Sequence, residues 1–316
     1  MTHLAPGVAT ATALACTVAV AACGLGAGPE SSGSATLTVT RDYGSKALVQ
    51  AREDDPPSSE TVIRFLDSEA DITTRYGGGF VQSIDGLSGT GSSDWFFYVN
   101  GVESPVGSAD VRVKGGDRIW WDYRDWAATM SVPAVVGQWP EPFAQASSSD
   151  PSPVRVVCLG AHPACERTAH RLDAAGVRST TENRARATSA SGGIRLLVGP
   201  WARVRRDPAM DGFRLGTAST GVFATFTGPT RGRWHLVALD PSMTPVRDLG
   251  PGAGLVAALG RDGDHATWIV TGSGGPAVRR AARLLNAHFL RDHYAVAATR
   301  DKLVPLPVVN GGDGRA

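Results

Sequence analysis

Residues 78–123 read GGFVQSIDGLSGTGSSDWFFYVNGVESPVGSADVRVKGGDRIWWDY, and this stretch sets the architecture of the first half of the chain. Short apolar runs alternate with turn residues. Phe80-Val81 to Ile84 is followed by Asp85-Gly86, Trp95 to Val99 by Asn100-Gly101, and Val111 to Val113 by Gly115-Gly116-Asp117 ahead of Ile119 to Tyr123. Asn-Gly between β-prone runs predicts a hairpin, because both central residues of a type I′ turn need positive φ. Upstream, Leu37 and Val39 alternate with Thr36, Thr38 and Thr40, the pattern of a half-buried strand over 35–41. Ser59 to Leu66 then predicts a short amphipathic helix with Ser58 or Ser59 as N-cap.

The blocks Ser83-Ile84-Asp85-Gly86-Leu87, Trp95, Asn100-Gly101 and Gly116-Asp117-Arg118-Ile119, in that order, resemble the C-terminal β-domain of transcobalamin and intrinsic factor. That domain also occurs alone or in tandem in bacterial surface proteins. The resemblance covers about residues 35–126 and implies a β-grasp-like fold. In that group the β-domain closes over one face of a corrinoid held against an α-barrel. Carried over to this chain, the resemblance implies ligand contact by Trp95, Tyr98, Asn100 and Gly101, with Pro105 in the Ser104-Pro105-Val106-Gly107 loop. No segment resembles the α-barrel. The implied function is therefore binding: capture of a corrinoid-like nutrient for uptake, or service as a protein-interaction module.

Strand alternation sends Trp95, Phe97 and Val99 to one face and Phe96 and Tyr98 to the other; Ile119, Trp121 and Tyr123 likewise oppose Trp120 and Asp122. One set builds the core of this small unit. The other is either an exposed binding surface or a cover for the linker or the second half.

The N-terminus predicts export. Leu14 to Ala22 is apolar and ends Val20-Ala21-Ala22-Cys23, the shape of a signal peptide with a lipobox over 1–23. Cys23 would carry the lipid, and the Gly/Ser-rich residues 24–34 would form a tether. Residues 1–7 contain no Lys or Arg. The expected location is the outer face of the cell membrane, with the membrane, an uptake transporter or other surface proteins as partners. A net charge of +1 without a basic run excludes nucleic acid. Of four cysteines, Cys16 falls in the leader. Cys158 and Cys165 remain as an even pair in an oxidising compartment, which reads as a disulfide. Two buried thiols, or a metal site with His162 that lacks a visible fourth ligand, are the alternatives.

Residues 127–153 form a Pro/Ser-rich linker in which Trp139 and Phe143 are placed to pack on a neighbour. From 154 to 309 the pattern becomes that of an α/β domain, followed by a tail over 310–316. The chain as a whole is thus α+β, a small β-grasp-like domain followed by an α/β domain with alternating strands and helices. Val154 to Leu159 and Ile194 to Val198 read as buried strands, Pro163 to Ala175 as a helix, and 221–227 with 233–240 as a hairpin. Leu255 to Leu259 reads as helical after Gly250-Pro251-Gly252-Ala253-Gly254, His265 to Thr271 as a strand, and Pro276 to Phe289 as one long helix. The glycine loops at 250–254 and 271–275 match neither a Walker A loop nor a dinucleotide fingerprint. The histidines form no metal motif. Asp264-His265 with Ser219 is the best arrangement for a hydrolase, and it lacks a nucleophile elbow. No catalytic residue, metal ligand or cofactor is assigned, and an extracellular hydrolase stays the second alternative to binding.

If Cys23 carries the lipid, Cys23→Ala moves the protein from the membrane pellet to the soluble fraction. Unchanged pelleting of the variant would exclude the anchor.

Overall fold

The computed structural model describes residues 1–2, 33–149, 154–183, 193–262 and 265–309. Cys16, Cys23, most of the tether, the end of the linker, Asp264 and the tail lie outside the described residues. The chain divides into two compact units, Met1–Glu30 and Ser31–Ala316. The β-grasp-like part and the α/β part both belong to the second.

The first part runs β1 (Ser34–Arg41), β2 (Lys46–Asp54), α1 (Val62–Glu69), β3 (Ile72–Arg75), β4 (Phe80–Ile84), β5 (Leu87–Ser88), β6 (Ser93–Val99), β7 (Val102–Glu103) and β8 (Arg118–Asp125). One sheet has the order β2-β1-β8-β6-β7, and β3-β4-β5 form a second. β1 and β8 pair in parallel, Leu37 beside Ile119 and Val39 beside Trp121. Parallel central strands flanked by antiparallel ones, with a helix on one face, are the β-grasp arrangement. Helix α1 buries Val62, Phe65 and Leu66, an i, i+3, i+4 stripe, against Leu37, Val39, Trp95 and Trp121. Its N-cap is Thr61 rather than Ser58 or Ser59; the Thr61 hydroxyl accepts from the Arg64 N–H at 3.4 Å. Val111 to Val113 makes only a one-residue bridge, from Arg112 to Thr61.

The second part runs α2 (Phe143–Ser149), β9 (Val154–Cys158), α3 (His162–Asp173), β10 (Ser179–Asn183), β11 (Arg195–Pro200), α4 (Trp201–Val204) and α5 (Asp211–Leu215). It continues with β12 (Ala224–Thr230), β13 (Arg233–Leu239), β14 (Pro245–Gly250), β15 (Gly254–Asp262) and β16 (His265–Gly272). It ends with α6 (Gly275–Arg283), α7 (Ala287–Leu290), β17 (Ala295–Ala298) and β18 (Leu303–Leu306). A seven-stranded sheet has the order β10-β9-β11-β16-β15-β17-β18, parallel from β10 to β16 and antiparallel beyond, and β12-β13-β14 form a separate meander. Helices α3 and α6 cover one face of the large sheet around Val156, Val198, Val256 and Trp268. The meander and the β-grasp sheet cover the other. Both faces are covered at the middle of the sheet, so β9 is buried at every position.

Two element assignments are also corrected. Residues 255–259 belong to strand β15, not a helix. A short apolar run covered on both sides carries no periodicity that separates strand from helix. The expected long C-terminal helix is two: α6 ends at Arg283, and Asn286 caps α7 by accepting from the Phe289 N–H at 3.2 Å. Gly254 shows why α6 lies so close: a Cβ there would stand 2.3 Å from the Ala277 carbonyl oxygen.

A single core joins the two parts. Tyr43, Tyr98 and Trp120 from the β-grasp part pack with Phe223, Leu255 and Tyr294 from the second. The Trp120 and Tyr294 rings meet edge to face at 5.3 Å, and those of Tyr43 and Tyr294 at 5.2 Å. Segment 132–143 wedges between, with Trp139 and Phe143 against Trp268 at 6.0 and 4.8 Å. At the centre of the junction lies Asp122, fully buried. Its carboxylate accepts from the Thr40 hydroxyl at 2.5 Å, the Gly44 N–H at 3.0 Å and the Tyr294 hydroxyl at 2.9 Å. Trp120 Nε1 donates to the same Thr40 oxygen at 2.7 Å. Burial pushes the Asp122 pKa up to about 6, against the pull of these hydrogen bonds and of Arg124.

A raised carboxyl pKa means that the folded state holds its proton more tightly than the unfolded chain. The associated stability is present below about pH 4 and is lost as pH rises through about 6. Melting curves from pH 7.5 down to 5 should show Asp122 contributing roughly 1–1.5 kcal/mol of stabilisation on acidification, about half of what full protonation supplies. Asp122→Asn should flatten that dependence, and an unchanged slope would refute the assignment.

Candidate functional site

The β6–β7 hairpin forms as its sequence requires. Asn100 and Gly101 have φ of 54° and 77°, the left-handed pair of a type I′ turn. The Asn100 side chain then ties the turn down. Its Nδ2 donates to Asp117 at 2.8 Å, and its oxygen accepts from the Arg118 N–H at 2.9 Å. The Gly101 N–H donates to Gln138 Oε1 at 2.5 Å. Trp95 Nε1 donates to the Leu87 carbonyl at 2.9 Å, and its ring packs under α1. Tyr98 has no exposed surface and sits between Trp120 and Tyr294.

The expected exposed aromatic face is therefore corrected. Trp95, Tyr98, Asn100 and Gly101 are all buried, and of the five expected ligand residues Pro105 alone is exposed. The reason is docking: the face of Phe96, Tyr98 and Trp120 covers the second part of the chain, the alternative that strand alternation had left open. Arg124 reinforces this face from inside. It is 1% exposed, lies over the Phe96 ring at 3.7 Å, and donates to the Thr129 and Met130 carbonyls at 2.8 and 2.9 Å.

Exposed apolar surface gathers elsewhere on the β-grasp part. A groove of about 290 Å³ runs beside β7 and the 104–107 loop, with Val102, Pro105, Val106 and Val111 in its wall and Glu103 and Lys114 among its charged groups. The Ser104 hydroxyl stiffens the loop by donating to the Val106 carbonyl at 2.9 Å. Burial raises the Glu103 pKa; its carboxylate accepts from the Ser131 hydroxyl and lies 3.9 Å from Arg124. The loop touches a second tip, since a Cβ on Gly107 would stand 3.2 Å from the Gly79 carbonyl oxygen. On that tip Tyr76 is 86% exposed and Phe80 38%, their rings 6.2 Å apart. Val106, next to Gly107, is 50% exposed.

Sequence reasoning missed Tyr76 and Phe80. The available signal was Tyr76-Gly77-Gly78-Gly79-Phe80 itself, two large rings bracketing three glycines outside any core periodicity. Tyr76 adopts φ of 53°, followed by Gly77 at 72° and Gly78 at 94°. A bulky side chain in the left-handed region is unusual and costs on the order of 1 kcal/mol. Such strain is concentrated at contact sites more often than in scaffolds.

The other candidate residues do not converge. The Ser219 hydroxyl points to the Gly212 and Gly216 carbonyls at 2.8 Å each. His235 pairs with Asp248 at 3.0 Å on the exposed meander, which holds the Asp248 carboxyl below its usual range. The glycine loop at 250–254 opens strand β15 rather than a helix, whereas 271–275 does open α6. Cys158 and Cys165 form a disulfide with their Cα atoms 5.9 Å apart, tying the end of β9 to the first turn of α3. Among the described residues no cluster of three or more His, Cys, Asp or Glu is arranged to hold a metal ion.

With this geometry in place, comparison with known proteins is informative only locally. The family described as Domain of unknown function (DUF4430) matches residues 59–125. Among solved structures, a Ruminococcus gnavus protein provisionally described as metal-binding is similar at 13% identity and a TM-score of 0.24. The match spans 29% of this chain and 97% of that one. No curated protein matches.

The buried and exposed rings should separate cleanly in urea unfolding. Tyr98→Ala should cost about 3–5 kcal/mol, as expected for a buried aromatic. Tyr76→Gly should leave stability unchanged or raise it by up to about 1 kcal/mol, because glycine relieves the left-handed strain. A large loss in Tyr76→Gly would mean that this tip belongs to the core.

Proposed function

We propose that this chain is a non-catalytic binding protein, lipid-anchored through Cys23 on the outer face of the cell membrane. Its contact surface is the pair of loop tips that carries Tyr76, Phe80, Pro105 and Val106. The observation that carries the reading is the exposed Tyr76–Phe80 ring pair on a glycine-rich tip, set against the 104–107 loop. Rigid rings give large apolar contact at little side-chain entropy cost, and flanking glycines let a ligand approach the backbone.

The groove, at about 290 Å³, lies at or below the lower limit of pockets that enclose drug-sized ligands. A ligand here lies across the surface instead of inside it. A flat, weakly charged macrocycle of the corrinoid class suits such a surface, and the resemblance of residues 35–126 to the transcobalamin β-domain suggests the same ligand class, with Pro105 as the implied contact that is exposed. Only one face of the macrocycle would be covered. The other stays open to a second protein, which fits capture and hand-over to an uptake transporter. The competing reading is a surface protein as partner, favoured by the same exposed apolar tips. The hydrolase reading has less support, because the Ser219 hydroxyl is directed to backbone carbonyls.

Calorimetry of the mature chain with cobalamin and cobinamide decides between ligand classes. Saturable heat that is weakened at least about tenfold in a Tyr76→Ala, Phe80→Ala double variant supports the corrinoid reading. No heat at high micromolar concentration removes it and leaves the surface-protein reading.

A further inference from the structure

On the opposite flank of the β-grasp sheet, the junction between the two parts leaves a cleft of about 200 Å³. Its chemistry differs from that of the loop tips. Alternation on β1 sends Leu37 and Val39 toward α1 and leaves Thr36 and Thr38 on the junction side. Thr36 is paired with Arg118 on β8, and Thr38 with Gln50 on β2. Two hydroxyls, an amide and a guanidinium therefore stand side by side on one sheet face. The second part of the chain supplies Arg291 and Asp292 from across the cleft. The floor is tightly closed: a Cβ on Gly137 would stand 2.8 Å from the Trp120 ring and 3.0 Å from the Asp292 N–H nitrogen.

The two guanidiniums are not consumed by the fold. Among the described residues, neither Arg118 nor Arg291 forms a salt bridge or donates a side-chain hydrogen bond. Glu141 acts on Arg118 and Asp292 on Arg291 only through the field. A pair of unpaired arginines facing hydroxyl and amide groups in a confined space is the chemistry that recognises a carboxylate carrying hydroxyls. A carboxylate already acts on each guanidinium, Glu141 on Arg118 and Asp292 on Arg291. That balance favours a monoanion over a phosphate dianion.

We propose that this junction cleft is a binding site for a small hydroxylated monocarboxylate, held by Arg118 and Arg291 and oriented by Thr36, Thr38 and Gln50. Because its walls come from both parts of the chain, a bound carboxylate fastens one to the other. The site is separate from the loop tips, and its occupancy is independent of any ligand there.

The test uses the full mature chain at pH 7 and constant ionic strength. Acetate, L-lactate and D-gluconate are compared with sorbitol, each at about 10 mM, by thermal melting. The expected result is a Tm rise of about 2 °C or more with gluconate, a smaller one with lactate, and none with sorbitol. Calorimetry with gluconate should show binding weakened at least about tenfold in Arg291→Gln, an exposed position, and likewise in Arg118→Gln. No shift with any of the three carboxylates, an equal shift with sorbitol, or unchanged affinity in both variants would overturn the proposal.

Discussion

A carboxylate with no exposed surface must be satisfied by donors that the fold brings to it, and Asp122 imposes that condition on this chain. Its three donors come from three places: the hydroxyl of Thr40 on β1, the backbone of Gly44 in the following turn, and the phenol of Tyr294 at the entrance to β17. None is local to Asp122. The parallel pairing of β1 with β8 supplies the first two, and docking of the second part supplies the third. The ring cluster of Tyr43, Tyr98, Trp120 and Phe223 then surrounds the polar centre and keeps water from it. A core of rings alone could slide; one organised around a directional acceptor has a single register.

That register decides what surface remains for binding. A β-grasp sheet has two faces, and here α1 takes one while the second part of the chain takes most of the other. Contact with anything outside must then use loop tips and sheet flanks. The tips are apolar and strained at Tyr76, whereas the flank at Thr36, Thr38 and Arg118 is polar and cationic. The two surfaces suit different chemistry, and each follows from strand alternation together with what the docked part happens to cover.

Much of this was legible in the residues. Asn100-Gly101 gave the hairpin because its backbone demand is local. Val154 to Cys158 gave a buried strand because every position but Arg155 is apolar, and Arg155 is buried with the rest. Cys158 and Cys165 could be paired by elimination. What the sequence could not supply was the identity of the layer lying over each face. Trp120 and Tyr98 look the same in sequence whether they meet a ligand or Tyr294, since their partner stands 196 residues from Tyr98. Residues 255–259 failed for a related reason: burial on both sides erased the period that would have marked them as a strand. Tyr76 was overlooked because its left-handed strain leaves no periodic pattern; the glycine run beside it was the one trace.

The separation of Asp122 from Tyr294, 172 residues, has a kinetic meaning. A chain made from its N-terminus onward can close the β-grasp hairpins early. The junction stays open until nearly the whole polypeptide is available, and Asp122 until then has no phenolic donor and Trp120 no cover. Such long-range closure slows folding. If the chain is exported as proposed, slowness is useful, since a chain that cannot complete its core cannot jam a translocation channel as a finished globule. The same topology leaves a truncated product with a ring-rich face open to water, a surface well suited to recognition by chaperones and quality-control proteases.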